Sequence, residues 1–183
     1  MDAATYLAHS REHFAAIRRK ADRALAQVDD AKFFTALDPE SNSLAILVKH
    51  LAGNLRSRWT DFLTSDGEKP DRARDTEFVA DAANDTRDAL DRRWKEGWTA
   101  LFAALDTLGP DDLGRTVTIR GEPLTVFAAI ERQKEHYAYH AGQIVFLAKH
   151  LAGPAWKSLS IPRGQSDAFH AARRAAGERR GFR

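Results

Sequence analysis

The chain has 183 residues, of which 43% are hydrophobic and 30% are charged, a balance that suits one globular domain with a full apolar core. It contains no cysteine, which excludes disulfides, thiolate metal sites and a catalytic thiol supplied by the protein. Its formal net charge is only +2, so the overall charge does not indicate a nucleic-acid partner. There is no run of about 18 apolar residues and no signal-like N-terminus, so we expect a cytoplasmic protein without a membrane segment.

Hydrophobic periodicity predicts four long helices along the chain. In chain order they span about residues 2 to 28, 43 to 64, 81 to 108 and 124 to 151. Each helix carries its apolar residues in one stripe, which it can bury against its neighbours. Four such helices with connections of unequal length favour an all-α fold, a four-helix bundle formed by residues 1 to 162.

The link between the first two helices is predicted to be irregular. Ser41 or Ser43 is a suitable N-cap for the second helix, because a serine hydroxyl can accept a hydrogen bond from a free backbone N–H. Phe33 and Phe34 are predicted to anchor this link to the core.

The two later connections differ in kind. The segment TSDGEKPDRARDTE is polar, and its Asp66-Gly67 pair and Pro70 disfavour regular structure. The segment RTVTIRGEP combines consecutive β-formers with a tight turn at Arg120-Gly121. It therefore predicts a small β-hairpin directly before the last long helix.

Two histidines of the fourth helix have a spacing that suits metal ligands. His136 and His140 are four residues apart, so their side chains lie one turn apart on the same face. That face coincides with or borders the apolar stripe, so both imidazoles are predicted to point into the bundle. The alternative is a pair at the edge of the core that bonds to carbonyls or water. His150 lies well around the helix and about 15 Å farther along its axis, where it is expected to interact with the helix dipole.

His50 is the candidate for a third ligand. It lies in the apolar second helix, and Gly53, one turn later, leaves room for another group to approach. By itself, His50 would more often be an ordinary core histidine. A neutral buried imidazole needs a partner, however, and an ion held by two histidines of a facing helix would supply one. Three histidines with the remaining positions open are typical of a catalytic metal site, for which zinc is the default ion and nickel, iron and manganese are admissible.

Other polar residues have weaker claims to a role at this site. Gln133 and Tyr137 are predicted to face inward, where they can contact the ligating imidazoles, although packing is the favoured role of Tyr137. His9 and His13 share the spacing of the metal pair but lie off the apolar stripe of the first helix. Spacing without the right face does not predict a ligand.

The C-terminal extension, residues 163 to 183, is basic. It carries six arginines against Asp167 and Glu178, which is compatible with a nucleic-acid-binding arm. No aromatic residue interleaves with the arginines except Phe169 and Phe182 near the two ends of the extension. A solvated, weakly helical and partly disordered extension is therefore favoured, and no nucleic-acid partner is expected. Arg163 is a separate case, because it can return to the bundle and bind an anionic group of a substrate.

The chain resembles the DinB superfamily, also called the DinB/YfiT-like family. The resemblance rests on LVKHLAGN in the second helix, the short hairpin, and HYAYHAGQI in the fourth helix. The stretches DPESNSLAILVKHLAGNLRSRWTDFLTSDGEKP, TIRGEP and WKSLSIPRGQS resemble one uncharacterised subgroup of it, over roughly residues 5 to 170. The resemblance implies a bundle with a crossover connection, metal ligands at His50, His136 and His140, and a homodimer.

The resemblance also implies a range of activities. Some relatives are metal-dependent thiol transferases that use bacillithiol or mycothiol, one branch isomerises maleylpyruvate with such a thiol, and many have no assigned reaction. We therefore expect a metal-dependent transferase or hydrolase that acts on a small molecule. The ion is expected to act as a Lewis acid that lowers the pKa of a bound water or of a thiol, and without cysteine such a thiol must come from a cosubstrate.

The sequence offers no motif for a general base. Glu131 and Glu135 fall on the solvent side of the fourth helix, and the orientation of Asp61 is not fixed by periodicity. The missing acid–base partner favours an alternative, a non-catalytic, stress-associated homodimer that binds a metal.

Overall fold

The computed structural model describes residues 2 to 176, and over this range the chain is mostly helical with one small antiparallel sheet. The α-helices are α1 (Ala3–Leu25), α2 (Asp30–Phe33), α3 (Leu44–Trp59), α4 (Arg87–Asp106), α5 (Val126–Ala152) and α6 (Ser166–Ala175). The strands are β1 (Thr116–Ile119) and β2 (Glu122–Thr125). Short 3₁₀ turns occur at Arg74–Phe78, Pro110–Gly114 and Gly153–Ala155. Within the described range, no helix has the length and apolar character needed to cross a membrane.

The four long helices, α1, α3, α4 and α5, bury their apolar stripes in one shared core. α3 packs along α4, α1 packs along α5, and α3 also contacts α5. Phe14, Leu51, Trp98 and Tyr137, one from each helix, are among the largest fully buried side chains. Burial of one such apolar side chain contributes about 1.5–3 kcal/mol. The core therefore fixes the position of α3 relative to α5, the two helices that carry the candidate ligands.

All four long helices begin at a side-chain cap. Asp2, Ser43, Thr86 and Thr125 each accept a hydrogen bond from the backbone N–H three residues later. Such a cap contributes about 1 kcal/mol to helix stability. Of the two serines proposed for α3, Ser43 is therefore the cap.

Three details of the helices and links differ from the predictions. α3 ends at Trp59 rather than near residue 64, because the backbone is extended at Thr60 (ψ 127°) and left-handed at Asp61 (φ 49°), and a right-handed helix allows neither. The third long helix begins later than predicted, directly after its cap at Thr86. Phe33 is fully buried but Phe34 is 44% exposed, since the short helix α2 turns neighbouring side chains to different sides.

The segment after α3 docks onto the hairpin, which forms as predicted. The turn residues Arg120 and Gly121 both have positive φ, 57° and 74°, as the tight type I′ hairpin turn requires. The carboxylate of Asp66 accepts from the backbone N–H of both turn residues, at 2.9 and 2.8 Å. The backbone N–H of Gly67 donates to the Thr118 carbonyl at 2.7 Å. A connection predicted to be irregular is thus fixed against the sheet.

The segment after α5 runs along the C-terminal end of α1. The backbone N–H of Lys157 donates to Gln27 Oε1, and the Arg23 guanidinium donates to the Leu159 carbonyl. Beyond it, α6 contains no buried residue, as expected for a solvated helical extension. The partial disorder predicted for residues 163 to 183 stays a prediction, and residues 177 to 183 lie outside the described range.

Candidate metal centre

The three predicted histidines meet at one point. His50 on α3 and His136 and His140 on successive turns of α5 each offer one ring nitrogen, and these nitrogens lie within 4.8 Å of one another. His50 Nε2 and His136 Nε2 are 3.4 Å apart. Ligand nitrogens at about 2.0–2.1 Å from a tetrahedral ion are separated by roughly 3.3 Å. The three rings can therefore hold one metal ion with little rearrangement.

Hydrogen bonds fix the tautomers of two of the rings. His50 Nδ1 lies 2.9 Å from Glu77 Oε2, and His140 Nδ1 lies 2.7 Å from Gln143 Oε1. A carboxylate and an amide oxygen only accept, so each neutral ring carries its proton on Nδ1 and presents the Nε2 lone pair to the cluster. Metal-bound histidines are usually supported in this way, by a bond from the other nitrogen to an oxygen.

His136 lacks such a support, although a complementary group lies nearby. Its Nδ1 is buried without a hydrogen-bond partner, and so is Oε1 of Gln133. Gln133 is 4% exposed and lies three residues earlier on α5, a spacing that makes helical side chains neighbours. An unpaired buried polar group costs about 1–3 kcal/mol. Gln133 faces inward as predicted, but its Oε1 is not bonded to His136 Nδ1, so its contact with this imidazole stays a prediction.

Glu77 is the site residue that sequence reasoning missed. It lies in the 3₁₀ turn Arg74–Phe78, within a segment predicted only as a polar connection, and is 27 residues from His50. Arg72 donates two hydrogen bonds to its carboxylate, both at 2.8 Å. Burial alone would raise the pKa of Glu77, but the bonds from His50 and Arg72 outweigh it and lower this pKa. The group is therefore an anion that accepts from His50.

Gly53 gave the one sequence signal for this carboxylate. A Cβ atom at Gly53 would overlap Glu77 Oε1, so only glycine lets the Glu77 side chain lie against α3. The sequence indicated that some group approaches there, but it did not indicate which one. That group is the support of His50.

Burial keeps the two histidines of α5 in the form that binds metals. Burial, together with the neighbouring His140 and His50, lowers the pKa of His136 to about 3. Burial also lowers the pKa of His140. A neutral imidazole binds a metal ion, whereas an imidazolium does not. These two rings are therefore ready ligands at neutral pH.

The histidines open onto a cleft of about 280 Å³. No carboxylate is among the described residues that line it, and five of its lining side chains are arginines: Arg58, Arg72, Arg74, Arg120 and Arg132. The volume lies near the lower end of the range for ligand pockets. The site can therefore admit a small molecule beside the three Nε2 atoms.

Residues 2 to 165 match the model of a family described as "Protein of unknown function (DUF1572)". The match covers most of the chain, including the three histidines and Glu77. The chain belongs to the DUF1572 family. No curated protein matches the sequence. The description of DUF1572 states no activity, so the evidence for a function comes from the site itself.

The other residues proposed for the site in this DUF1572 chain lie elsewhere. Tyr137 is fully buried, and its hydroxyl donates to Asn54 Oδ1 and accepts from Trp59 Nε1, so it packs in the core instead of contacting a ring nitrogen. Arg163 is exposed and does not line the cleft. The structure does not bring it to the histidines, because the preceding residues are bonded to the end of α1.

The carboxylates considered as bases do not face the cleft either. Glu131 and Glu135 are exposed on α5, as predicted, and Asp61 is exposed after α3. The Glu131 carboxylate accepts from Tyr6 and Lys134. None of the three carboxylates lines the cleft.

Proposed function

We propose that the protein is a metal-dependent enzyme acting on a small molecule, with a divalent cation held by His50, His136 and His140. The observation that carries the proposal is the convergence of three ring nitrogens within 4.8 Å, two of them with tautomers that aim a lone pair inward. Converging lone pairs repel one another unless a cation or a proton lies between them. The lowered pKa values of His136 and His140 disfavour the proton.

The donor set favours a transition metal. It consists of imidazole nitrogen alone, which suits zinc, nickel and iron and suits manganese less well, because manganese prefers oxygen ligands. Three protein ligands leave at least one coordination position for a substrate, the arrangement of catalytic rather than structural zinc sites. The cleft next to the histidines supports this assignment, because a closed structural site needs no opening.

A bound divalent cation supplies Lewis acidity, which polarises a substrate oxygen or lowers the pKa of a coordinated nucleophile. The protein contributes orientation: Glu77 and Gln143 hold the tautomers of two ligands, and the core fixes α3 against α5. Among the described residues no carboxylate lines the cleft, and the nearby Glu77 is bonded to His50 and Arg72. The substrate or cosubstrate is therefore expected to bring its own nucleophile.

Transfer of a low-molecular-weight thiol is the reaction class that we favour within this proposal. A chain without cysteine needs an external thiol, and a Lewis acid can activate a thiol without a protein base. The DinB-like sequence features point to bacillithiol or mycothiol as the cosubstrate. The four long helices and the hairpin before α5 support a four-helix bundle of DinB type as the corresponding fold.

A metal-binding protein without catalytic activity is the second candidate. The absence of a free carboxylate among the described residues of the cleft favours it, since many hydrolases and transferases need a general base. In this case the protein would carry the metal, as a homodimer, without turning over a substrate.

The metal site is tested by elemental analysis of untagged protein. We expect near-stoichiometric transition metal in the parent and none in a His50→Ala/His136→Ala/His140→Ala variant, because each substitution removes one of three ligands. A His9→Ala/His13→Ala variant is the matched control, since these exposed histidines have the same spacing on α1. A parent that takes up no zinc, nickel, iron or manganese, or a triple variant that retains it, would contradict the metal site.

An activity assay separates the two candidate functions. Thiol transfer from bacillithiol and from mycothiol to a panel of small electrophiles is measured with metal-loaded and metal-free protein. Transfer that depends on the metal and is lost in the triple variant supports the enzyme. Full metal loading with no transfer to any electrophile would favour the non-catalytic protein.

A further inference from the structure

Four of the five arginines in the cleft beside the histidines are of two kinds, and the fifth, Arg120, is paired with Glu68 at 2.8 Å. Arg58 and Arg72 are neutralised within the protein, with side chains only 5% and 2% exposed. Arg72 donates to Glu77 and Glu68, while Arg58 donates to Glu68 and to the Gly67 carbonyl. The positive charges of these two guanidinium groups are thus compensated by the buried carboxylate of Glu77 and the partly buried carboxylate of Glu68.

Arg74 and Arg132 line the same cleft but have only weak internal partners. The nearest carboxylate of Arg74 is Asp75, at 3.6 Å and fully exposed, and that of Arg132 is Glu122, at 3.9 Å and 73% exposed. Exposed pairs at such distances contribute little, because water screens the charges. Both guanidinium groups can therefore bind an anion in the cleft without first breaking a strong ion pair.

Each of these arginines lies beside a different candidate metal ligand. Arg132 precedes His136 by four residues on α5, so the two side chains share a face of the helix. The Arg74 guanidinium lies 5.1 Å from the Phe78 ring centroid, and that ring lies 4.7 Å from the His50 ring. A small molecule that contacts Arg74 or Arg132 is thus adjacent to the three histidines.

We propose that the cleft binds a small substrate through an anionic oxygen group, a carboxylate or a phosphate, held by Arg74 and Arg132. Guanidinium groups suit both, because their N–H donors pair with two oxygens at once. The volume of about 280 Å³ restricts the ligand to a small molecule. The part of this inference that places the rest of the substrate at the three Nε2 atoms rests on the proposed metal centre, whereas the anion site requires the arginines alone.

Calorimetric titration of the full chain with inorganic phosphate and with malonate tests the anion site. Both anions are titrated into metal-free and zinc-loaded protein, since phosphate can also bind to zinc directly. We expect an Arg74→Gln/Arg132→Gln variant to bind the preferred anion at least about tenfold more weakly, in metal-free protein as well. An Arg74→Lys/Arg132→Lys variant keeps the charge but loses the paired donors. Its affinity for the anion is expected to lie between those of the parent and the double Gln variant.

Arg92→Gln is the matched control, because Arg92 is an exposed arginine on α4 outside the cleft. It removes one charge and is expected to leave anion binding unchanged. Tighter binding of phosphate identifies a phosphate-bearing substrate, and tighter binding of malonate identifies a carboxylate. The inference is overturned if neither anion binds at millimolar concentration, if the double Gln variant binds like the parent, or if Arg92→Gln causes an equal loss.

The zinc content of the same samples keeps this inference separate from the proposed function. A double Gln variant that retains zinc but loses the anion supports the anion site and the metal centre together. A parent that binds an anion but no metal supports the anion site and contradicts the metal centre.

Discussion

The imidazole of His50 is held by a buried ion pair. Its Nδ1 contacts the Glu77 carboxylate, which is held in turn by Arg72, a side chain only 2% exposed. A buried carboxylate and guanidinium stabilise each other only while both remain, because either one alone would be an unpaired buried charge. The pair therefore keeps the ring orientation of His50 fixed before any ion binds.

Gly53→Ala tests this support with one added methyl group. The new Cβ would overlap Glu77 Oε1, so the carboxylate must move away from His50. We expect the zinc affinity to fall by about 10- to 100-fold, the usual effect of losing a partner of a ligating histidine. Competition titration against a chromophoric chelator measures this affinity.

Gly142→Ala is the control for that substitution. Gly142 also lies within a long helix, but a Cβ there meets no described atom within 4 Å. It should gain up to about 1 kcal/mol of stability from helix propensity and keep the zinc affinity of the parent. Parental affinity in Gly53→Ala would show that Glu77 does not support the ligand.

The convergence of the three histidines could be predicted from the sequence, but their surroundings could not. His136 and His140 lie on a helix whose apolar stripe fixes the direction of every side chain, and His50 lies on a second such helix. Glu77 comes from a segment without periodicity, and its contact with His50 depends on how that segment folds back. Gly53 was the only sequence feature that indicated a group beside His50. A residue without Cβ indicates that another group can lie close to the helix, but it does not identify that group.

At the level of secondary structure, the connection between α3 and α4 brings Glu77, Arg72 and Arg74 to the site. It is fixed by Asp66, which accepts from backbone N–H groups of the hairpin turn, and by Glu68, which accepts from arginines on α3 and on the turn. The hairpin therefore serves as the surface against which the connection folds.

Asp66→Asn is expected to lower the free energy of unfolding by about 1 kcal/mol at pH 7, since an amide replaces a charged acceptor. Hydrogen bonds from the backbone N–H groups of Glu68, Gly121 and Arg120 lower the pKa of Asp66 below its ordinary value of 3.8. The carboxylate thus stabilises the fold fully above pH 3.8, and this contribution is lost as the pH falls through the lower folded-state pKa.

Urea denaturation between pH 7 and pH 3 measures this dependence. The difference between parent and Asp66→Asn should stay constant at neutral pH and shrink in acid. Asp111→Asn, which changes an exposed carboxylate, should give a small difference throughout. A difference for Asp66→Asn that persists undiminished at the lowest pH would argue against the proposed hydrogen bonds.

The existence of the long helices could be predicted, whereas some of their ends could not. Stripes of apolar residues extend over many turns, so all four helices were found. Where a helix ends depends on one or two residues, such as the left-handed backbone at Asp61 or the cap at Thr86. Neither Asp61 nor Thr86 differs enough from the sequence around it for the helix end to be predicted there.

In the whole molecule, an apolar core and a polar cleft share the same two helices. α3 and α5 contribute Leu51 and Tyr137 to the core and the three histidines to the cleft. Residues distant from the site therefore affect it mainly through the packing of these helices. Parts of the chain that pack neither on the core nor against the site and the connection that supports it should affect neither stability nor metal binding.

A chain that ends after residue 165 tests this expectation. It lacks α6, which has no buried residue, so its free energy of unfolding should change by less than about 1 kcal/mol and its zinc content should not change. A chain that ends after residue 153 also lacks Trp156 and Leu159, which pack against the core, and should lose about 2 kcal/mol or more. Equal losses in both chains would show that α6 contributes to the fold.

The carboxylate of Glu68 links three parts of the chain that are distant in the sequence. It joins Arg58 of α3, Arg72 beside Glu77, and Arg120 of the hairpin turn. Because Glu68 links these groups, we expect metal binding at the histidines to be coupled to closure of the turn, and such coupling is reciprocal. A disturbance of the turn would then lower the metal affinity by the same factor by which metal binding stabilises the turn.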